Sequence, residues 1–468
     1  MHTDRRSVLR GLVSGVAVAG IGCSPDADGG SSLGATADTG IAPGTATDTG
    51  MPPVVDTGEA RPGYVEGPWS PAGTEDLGAF PHGIQVGDVT AESAILSVRA
   101  AAATVQIEIV AVDDDGWWPI YLGEHALADR AAQVEVAGLL PGTRYDWVAR
   151  TQAGERSVRG SFRTPPPAGS SQLVRFGAVS CLGGNEPWPC LSRAAEQGLD
   201  VFLFLGDTIY ADWGYLEPVQ EKWDAALAQQ GMRDLTSSTS IIATWDDHEV
   251  HNNFTPDNTS ASEIDAGRQA FREALPQRVG PDGQIWRRLP WGDIVEFFVL
   301  DCRGERSGDD YVSRAQLDWL KQGLSDSTAT FKIVLNSVPI TDLSFVPIAG
   351  DIDAYDRWQG YPVQRQELVD HCASVPGVLF VSGDFHVGAA AYIEPATAPG
   401  GDLKEILVGP GGSPISSAYA LIPEGGRLPA IVTQFNYTEF ACDPATGQVT
   451  VSWIGNGGDV LKSLTMQV

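Results

Sequence analysis

The densest run of chemistry-bearing side chains in this sequence is Thr244-Trp245-Asp246-Asp247-His248-Glu249-Val250-His251-Asn252-Asn253. It follows the apolar Ile241-Ile242-Ala243, so it begins where a buried strand ends and a loop starts. So many carboxylates, imidazoles and amides in a packed interior would each cost several kcal/mol unless paired or bound to a metal. On a surface loop the same run would be a solvated acidic stretch. What favours the first reading is that other strands end the same way.

Val174 to Val179 runs into Ser180-Cys181, and Val201 to Leu205 into Gly206-Asp207-Thr208-Ile209-Tyr210. Ile241 to Thr244 leads into Asp246-Asp247-His248, Ile294 to Leu300 into Asp301-Cys302-Arg303, and Val378 to Val381 into Ser382-Gly383-Asp384-Phe385-His386. Each apolar strand thus delivers Asp, His, Cys or Tyr at its carboxyl end, where layered α/β sheets place their ligands. Asp and His are hard or borderline ligands for Fe, Zn, Mn or Ca, and one Asp can bridge two cations. Tyr210 lies within reach of the same centre if the turn after Asp207 is tight. Phenolate suits ferric iron, and Cys181 could add a thiolate. Paired metals about 3.5 to 4 Å apart stabilise both oxygens of an in-line phosphoryl displacement.

The elements that must position these residues follow from the rest of the chain. Its 468 residues, 43% hydrophobic, suffice for a large core and two domains. A formal net charge of -30 argues against nucleic acid as a partner and leaves bound metal ions as the source of positive charge for an anionic substrate. Asp4-Arg5-Arg6-Ser7-Val8-Leu9-Arg10 precedes an apolar stretch from Gly11 to Gly22 that is too short to span a bilayer. This pattern resembles a twin-arginine export signal over residues 1–22. Gly20-Ile21-Gly22-Cys23 resembles a lipoprotein cleavage box, with Cys23 as the lipidated residue.

Residues 23–77 are mostly Gly, Ser, Thr, Ala, Asp and Pro, and repeat Asp-Thr-Gly at Asp38, Asp48 and Asp56. With few large apolar side chains to offset the entropy of ordering, this stretch reads as a flexible tether. From 78 to 166 the runs alternate with period two: Ser93–Val98, Thr104–Val110, Ala132–Val136. Such runs, separated by turn residues, predict an antiparallel sandwich. Gly138 to Tyr145 resembles the turn and inward-facing Tyr of fibronectin type III domains, and Gly160 to Pro165 their final strand. No chemistry is assigned to this module. Residues 167–468 change to continuous apolar strands separated by helices, an α/β domain.

Taken together, Gly206-Asp207-x-x-Tyr210, Trp245-Asp246-Asp247-His248-Glu249-x-x-Asn252-Asn253, Leu300-Asp301-x-Arg303 and Ser382-Gly383-Asp384-x-His386 resemble the PhoD-type alkaline phosphatases of the metallophosphoesterase superfamily. Gln316-Leu317-Asp318-Trp319-Leu320 and Asp356-Arg357-Trp358-Gln359-Gly360-Tyr361-Pro362 look like two further segments of that family, and the likeness spans about residues 78 to 468. It implies a four-layered α-β-β-α sandwich, preceded by the small all-β module, with the site between two sheets at their strand ends. It also implies that Asp207 bridges two metals, that Cys181, Tyr210 and His386 bind ferric iron, and that Asp247 and Asp384 hold calcium. Asn252 or Asn253 would assist in contacting metal or phosphate. Arg303 would clamp phosphate and His248 would protonate the leaving group or stabilise the transition state, with Asp246 and Glu249 as their supports. Two departures from the family pattern stand out. Cys302 replaces a smaller or β-branched residue and could pair with Cys372 or Cys442, as Cys181 could with Cys190. The superfamily's additional histidine near Asn336-Ser337 is absent.

The function expected from this reading is an exported, metal-dependent phosphoesterase. It would cleave phosphate mono- or diesters of small molecules or lipids through a metal-activated hydroxide or oxide. The alternatives are a phospholipase D-like phosphodiesterase and a non-catalytic surface binding protein on a degenerate hydrolase fold. The expected setting is periplasmic, extracellular or lipid-anchored at the cell surface, with the chain a monomer that meets membrane only through its lipid.

Overall fold

The computed structural model describes residues 61–128, 131–212, 215–343, 356–415 and 424–468. The export signal, Cys23 and most of the tether lie outside the described residues. Of three large sheets, one of seven strands lies within residues 65–163 and the other two carry the strand ends of interest. The first of these two has nine strands, in the spatial order Val460–Gln467, Gln448–Gly455, Asn436–Asp443, Val174–Val179, Val201–Leu205, Ser240–Thr244, Ile84–Gly87, Ser93–Val98, Ala132–Ala137. The second has seven, in the order Arg287–Trp291, Val295–Val299, Phe331–Asn336, Val378–Ser382, Lys404–Leu407, Gly388–Tyr392, Ala430–Val432. In each, the central strands run parallel, so their carboxyl ends converge.

Side-chain alternation sorts these strands into layers. Phe176, Ala178, Leu203 and Leu205 face Phe297, Val299, Leu335 and Val381 in one shared core. The opposite faces, carrying Val179, Phe202, Phe204, Ile241 and Ala243, pack on helices that include Leu216–Leu227 and Ala261–Ala274. Phe298, Val334 and Phe380 pack on Arg314–Asp326 and Pro362–Cys372. Strands buried on both faces must be apolar throughout, which is why they appear in the sequence as unbroken Val, Leu, Ile and Phe runs. The result is the expected α-β-β-α sandwich.

The N-terminal region differs from expectation in two ways. The tether predicted to reach residue 77 ends earlier. Val65–Glu66 pairs with Gly116 and Trp117, and Thr74–Glu75 pairs with Glu155 and Arg156. Trp69 supplies the burial that composition alone understated, packing beside Val110 and Val148. Second, the strands of 78–166 are not a free-standing module. Ile84–Gly87 pairs in parallel with Ser240–Thr244, so three of these strands complete the nine-stranded sheet. Tyr145 is buried as predicted, its hydroxyl accepting the Leu140 N–H at 2.7 Å, yet it belongs to a core continuous with that of the α/β layers. A buried ion pair locks the junction: Arg287 grips Asp88 through Nε at 2.6 Å and Nη2 at 2.8 Å.

Among the described residues no helix is long and apolar enough to cross a membrane. Cys181, Cys190, Cys302, Cys372 and Cys442 are all free and buried, so neither the pairing of Cys181 with Cys190 nor that of Cys302 with Cys372 or Cys442 occurs. Cys302 instead donates to Asn336 Oδ1 at 3.0 Å.

Candidate metal centre

The loops after the strands carry the site, and their backbone is strained to do so. Cys181, Asp207, Asp212, Asp384 and His386 all adopt left-handed φ between 54° and 62°, a conformation that costs about 1–2 kcal/mol for a non-glycine residue. Such outliers persist where the surroundings over-determine them, and they cluster at functional sites. Gly206, with φ of 85°, precedes Asp207; a Cβ there would lie 2.4 Å from Asp246 Cβ. The Gly of the Gly-Asp pair is thus the condition for two strand-end loops to touch.

The predicted ligands converge. A thiol sulfur of Cys181, a carboxylate oxygen of Asp207 and a ring nitrogen of His386 lie within 4.8 Å of one another, as do donor atoms of Asp207, Asp247 and His248. Asp207 is common to both groups. Tyr210 donates to Asp207 Oδ2 at 3.1 Å, and Asp384 stands on the same loop as His386. His386 Nδ1 lies 2.9 Å from the Pro414 carbonyl; since a carbonyl only accepts, Nδ1 carries the proton and Nε2 keeps its lone pair for a cation.

These residues fit metal ions. Asp207 Oδ1, Asp247 Oδ1 and Asp384 Oδ2 are buried without a hydrogen-bond partner, a state that costs heavily for carboxylates unless a cation is present. Burial, followed by the charges of Asp247, Asp246, Glu249 and Asp384, pushes the Asp207 carboxyl well above its ordinary range. Burial and then Asp207 push the Cys181 thiol and the Tyr210 phenol up as well. Asp384 is raised by burial against the pull of Arg357. Asp247 is the exception: burial raises it, but Arg303, His248 and the Asn253 N–H outweigh that and hold it at about 2. Neighbours this acidic resist joint ionisation, and divalent or trivalent cations remove the conflict.

His248 is stacked on Tyr210 with ring centroids 4.0 Å apart. Its Nδ1 donates to Asp212 Oδ1 at 2.8 Å. Burial lowers its pKa, but the Asp212 hydrogen bond and the Asp247 charge carry the net shift upward. Asp212 went unnoticed in the sequence although it lies two residues past Tyr210; membership of the same strand-end loop was the available signal.

Glu249 and Asp246 make buried contacts to loop backbone and to Arg303. The Glu249 carboxylate accepts the N–H groups of Asp207, Thr208 and Asp246. Asp246, its carboxyl pushed up to about 7 by burial against the opposing charge of Arg303, also accepts from Ser337 Oγ at 2.8 Å. That serine lies in the stretch where the superfamily pattern carries an additional histidine.

The phosphate-clamp expectation for Arg303 is corrected. Its side chain has no solvent exposure, and its guanidinium is held by Asp246 at 2.6 and 3.0 Å, by Asp356, and by Asp247 at 3.8 Å. The Leu-Asp-x-Arg motif is a buried clasp: Asp301 Oδ1 accepts from Trp245 Nε1, Arg303 N and Gly304 N. Its partner Asp356 comes from a distant segment, which sequence spacing could not reveal. Asn252 and Asn253 are exposed and contribute main chain, the Asn252 N–H to Asp212 at 3.0 Å and the Asn253 N–H to Asp247 at 2.5 Å.

Known proteins share this organisation. The chain is 25% identical over 317 residues to alkaline phosphatase D of Bacillus subtilis (strain 168), covering 56% of this chain and 54% of that protein. It therefore spans about half the length of that relative. A solved structure of PhoD superposes with a TM-score of 0.69 at 19% identity, over 85% of this chain and 90% of that one. A purple acid phosphatase from yellow lupin (Lupinus luteus) seeds superposes with a TM-score of 0.63 at 13% identity, over 82% and 73%. These two likenesses concern the fold. The sequence profile of the PhoD-like phosphatases matches residues 176–441, more than half of the chain and all of the strand ends described above. The chain belongs to the PhoD-like phosphatase family.

Proposed function

We propose that this chain is an exported, metal-dependent phosphoesterase that hydrolyses phosphate mono- and diesters. The family is metal-dependent. The observation that carries the proposal is the pair of donor groups, Cys181 with Asp207 and His386 and Asp207 with Asp247 and His248, in which Asp207 and Asp247 each keep a buried carboxylate oxygen unpartnered, as does Asp384 on the loop of His386. Cys181, Asp207, Tyr210 and His386 form a donor set suited to ferric iron, while the carboxylates of Asp247 and Asp384, with Asp207 shared, suit calcium. When bound, such cations offset the negative charge that builds on the transferring phosphoryl group and make water more acidic.

The chain's own residues do the rest. Asp207, common to both groups of donor atoms, would contribute to holding both cations. Asp212 holds the Nδ1–H of His248 and leaves Nε2 to exchange a proton with the leaving alkoxide as the P–O ester bond breaks and water oxygen bonds to phosphorus. Glu249 fixes the loops of Asp207 and Asp246 so that these distances survive substrate binding. Export by the twin-arginine route, with Cys23 as a lipid anchor, rests on the N-terminal sequence and would place this chemistry outside the cytoplasm.

The test is to load the purified chain with iron and calcium and assay 4-nitrophenyl phosphate and bis(4-nitrophenyl) phosphate beside an Asp207→Asn variant. Hydrolysis by the parent and its loss in the variant are expected. A fully loaded parent that cleaves neither ester would sink the proposal.

A further inference from the structure

We propose that Arg357 is the residue that positions the substrate phosphate, and that it favours monoesters over diesters. The proposal rests on the phosphoesterase reading above. Arg357 is 5% exposed. Its Nε and Nη1 are buried and, among the described residues, have no hydrogen-bond partner. Its guanidinium lies 4.9 Å over the Phe385 ring, and Nε stands 3.7 Å from Asp384 Oδ2, beyond hydrogen-bond reach of an oxygen that is itself unpartnered.

The neighbouring buried arginines behave differently. Arg303 is held by carboxylates on every side. Arg306 donates Nε to the Cys302 carbonyl and Nη2 to Tyr311 and the Asp356 carbonyl, leaving only Nη1 unpaired, 3.6 Å from Asp356 Oδ1. Arg365 donates to the Ile340 and Ile393 carbonyls and pairs with Glu394. Those three hold the fold together. Arg357 has donors left over beside a carboxylate of the metal centre, held in orientation by an aromatic face.

A buried guanidinium with N–H groups left unpaired can donate charge-assisted hydrogen bonds to phosphate oxygens, and such bonds are strong in a site shielded from water. With Arg303 committed to structure, Arg357 is, among the described residues, a buried guanidinium beside Asp384 with two N–H groups that make no hydrogen bond. A monoester dianion offers one more charged oxygen than a diester, in which a second alkoxy group replaces it. The positive charge of Arg357 therefore favours the monoester.

The experiment compares the full metal-loaded chain with Arg357→Met and Arg357→Lys. The readouts are kcat and KM on 4-nitrophenyl phosphate and bis(4-nitrophenyl) phosphate, equilibrium binding of inorganic phosphate, and metal content by elemental analysis. For Arg357→Met we expect kcat/KM on the monoester to fall about 100-fold and phosphate binding to weaken about 10-fold or more, with the diester changed by no more than about 3-fold. Arg357→Lys should fall between, because a compact point charge replaces the planar guanidinium, and metal content should not move. Equal losses on both esters, unchanged phosphate binding, or loss of metal from both variants would overturn the assignment. If the parent cleaves neither ester, the phosphoesterase reading fails, and the phosphate-binding comparison still decides the role of Arg357.

Discussion

The carboxylate of Glu249 accepts the main-chain N–H of Asp207 at 3.1 Å, tying the loop that carries Asp207 to the loop that carries Asp247. The same carboxylate accepts from Thr208 and Asp246 at 2.7 and 2.9 Å. Glu249→Ala leaves these buried N–H groups without acceptors, at about 1–3 kcal/mol each. A drop in denaturant midpoint and a fall in metal affinity should appear together. A variant with wild-type stability would show that the loops do not depend on this clasp.

Arg303 should act on stability rather than on substrate. Arg303→Met leaves Asp246, Asp247 and Asp356 facing one another in the interior, a change of about 3–5 kcal/mol. Urea unfolding of Arg303→Lys is expected to shift strongly while KM for a phosphate ester in the folded fraction stays within about 2-fold. A raised KM with unaltered stability would restore the clamp reading.

The proton role of His248 is separable from its positioning by Asp212. His248→Ala should lower kcat about 100- to 10,000-fold, whereas Asp212→Asn, which preserves shape but removes the charge holding Nδ1–H, should cost about 10- to 100-fold. Steady-state kinetics on the metal-loaded chain checks both, and an Asp212→Asn enzyme as fast as wild type would remove Asp212 from the site.

Metal removal should be visible without any assay of turnover. A cation present at about 100 times its Kd stabilises the folded state by about 2.7 kcal/mol. Treatment with a chelator is therefore expected to lower the melting temperature, and added iron and calcium to restore it. Melting insensitive to chelation, in a protein whose elemental analysis shows no metal, would refute the proposed centre.

The strands of 78–166 should prove inseparable from the α/β layers. Asp88→Ala strands the buried Arg287 guanidinium and should cost about 3–5 kcal/mol. A chain beginning at residue 167 also uncovers the edge of Ser240–Thr244 and should aggregate instead of folding. A soluble truncation that melts cooperatively would count against this.

The sequence by itself determined the layers and most of the site. Strands buried on both faces are apolar along their whole length, and ligands of layered α/β sheets gather at the carboxyl ends of the strands, so Cys181, Asp207, Tyr210, Asp247, Asp384 and His386 were legible as strand-end residues, and the family resemblance implied that they act together. Only tertiary structure decided which charges satisfy one another. Arg303 reads as a phosphate clamp until Asp356, far along the chain, is placed against it. Asp212 acquires meaning only when His248 is stacked over Tyr210 beside it. The same holds for the N-terminal strands, whose alternation predicts a sheet but not its partner. Periodicity encodes which face of a strand is buried, whereas ion pairing and strand neighbours depend on contacts between residues far apart in sequence, which no local pattern records.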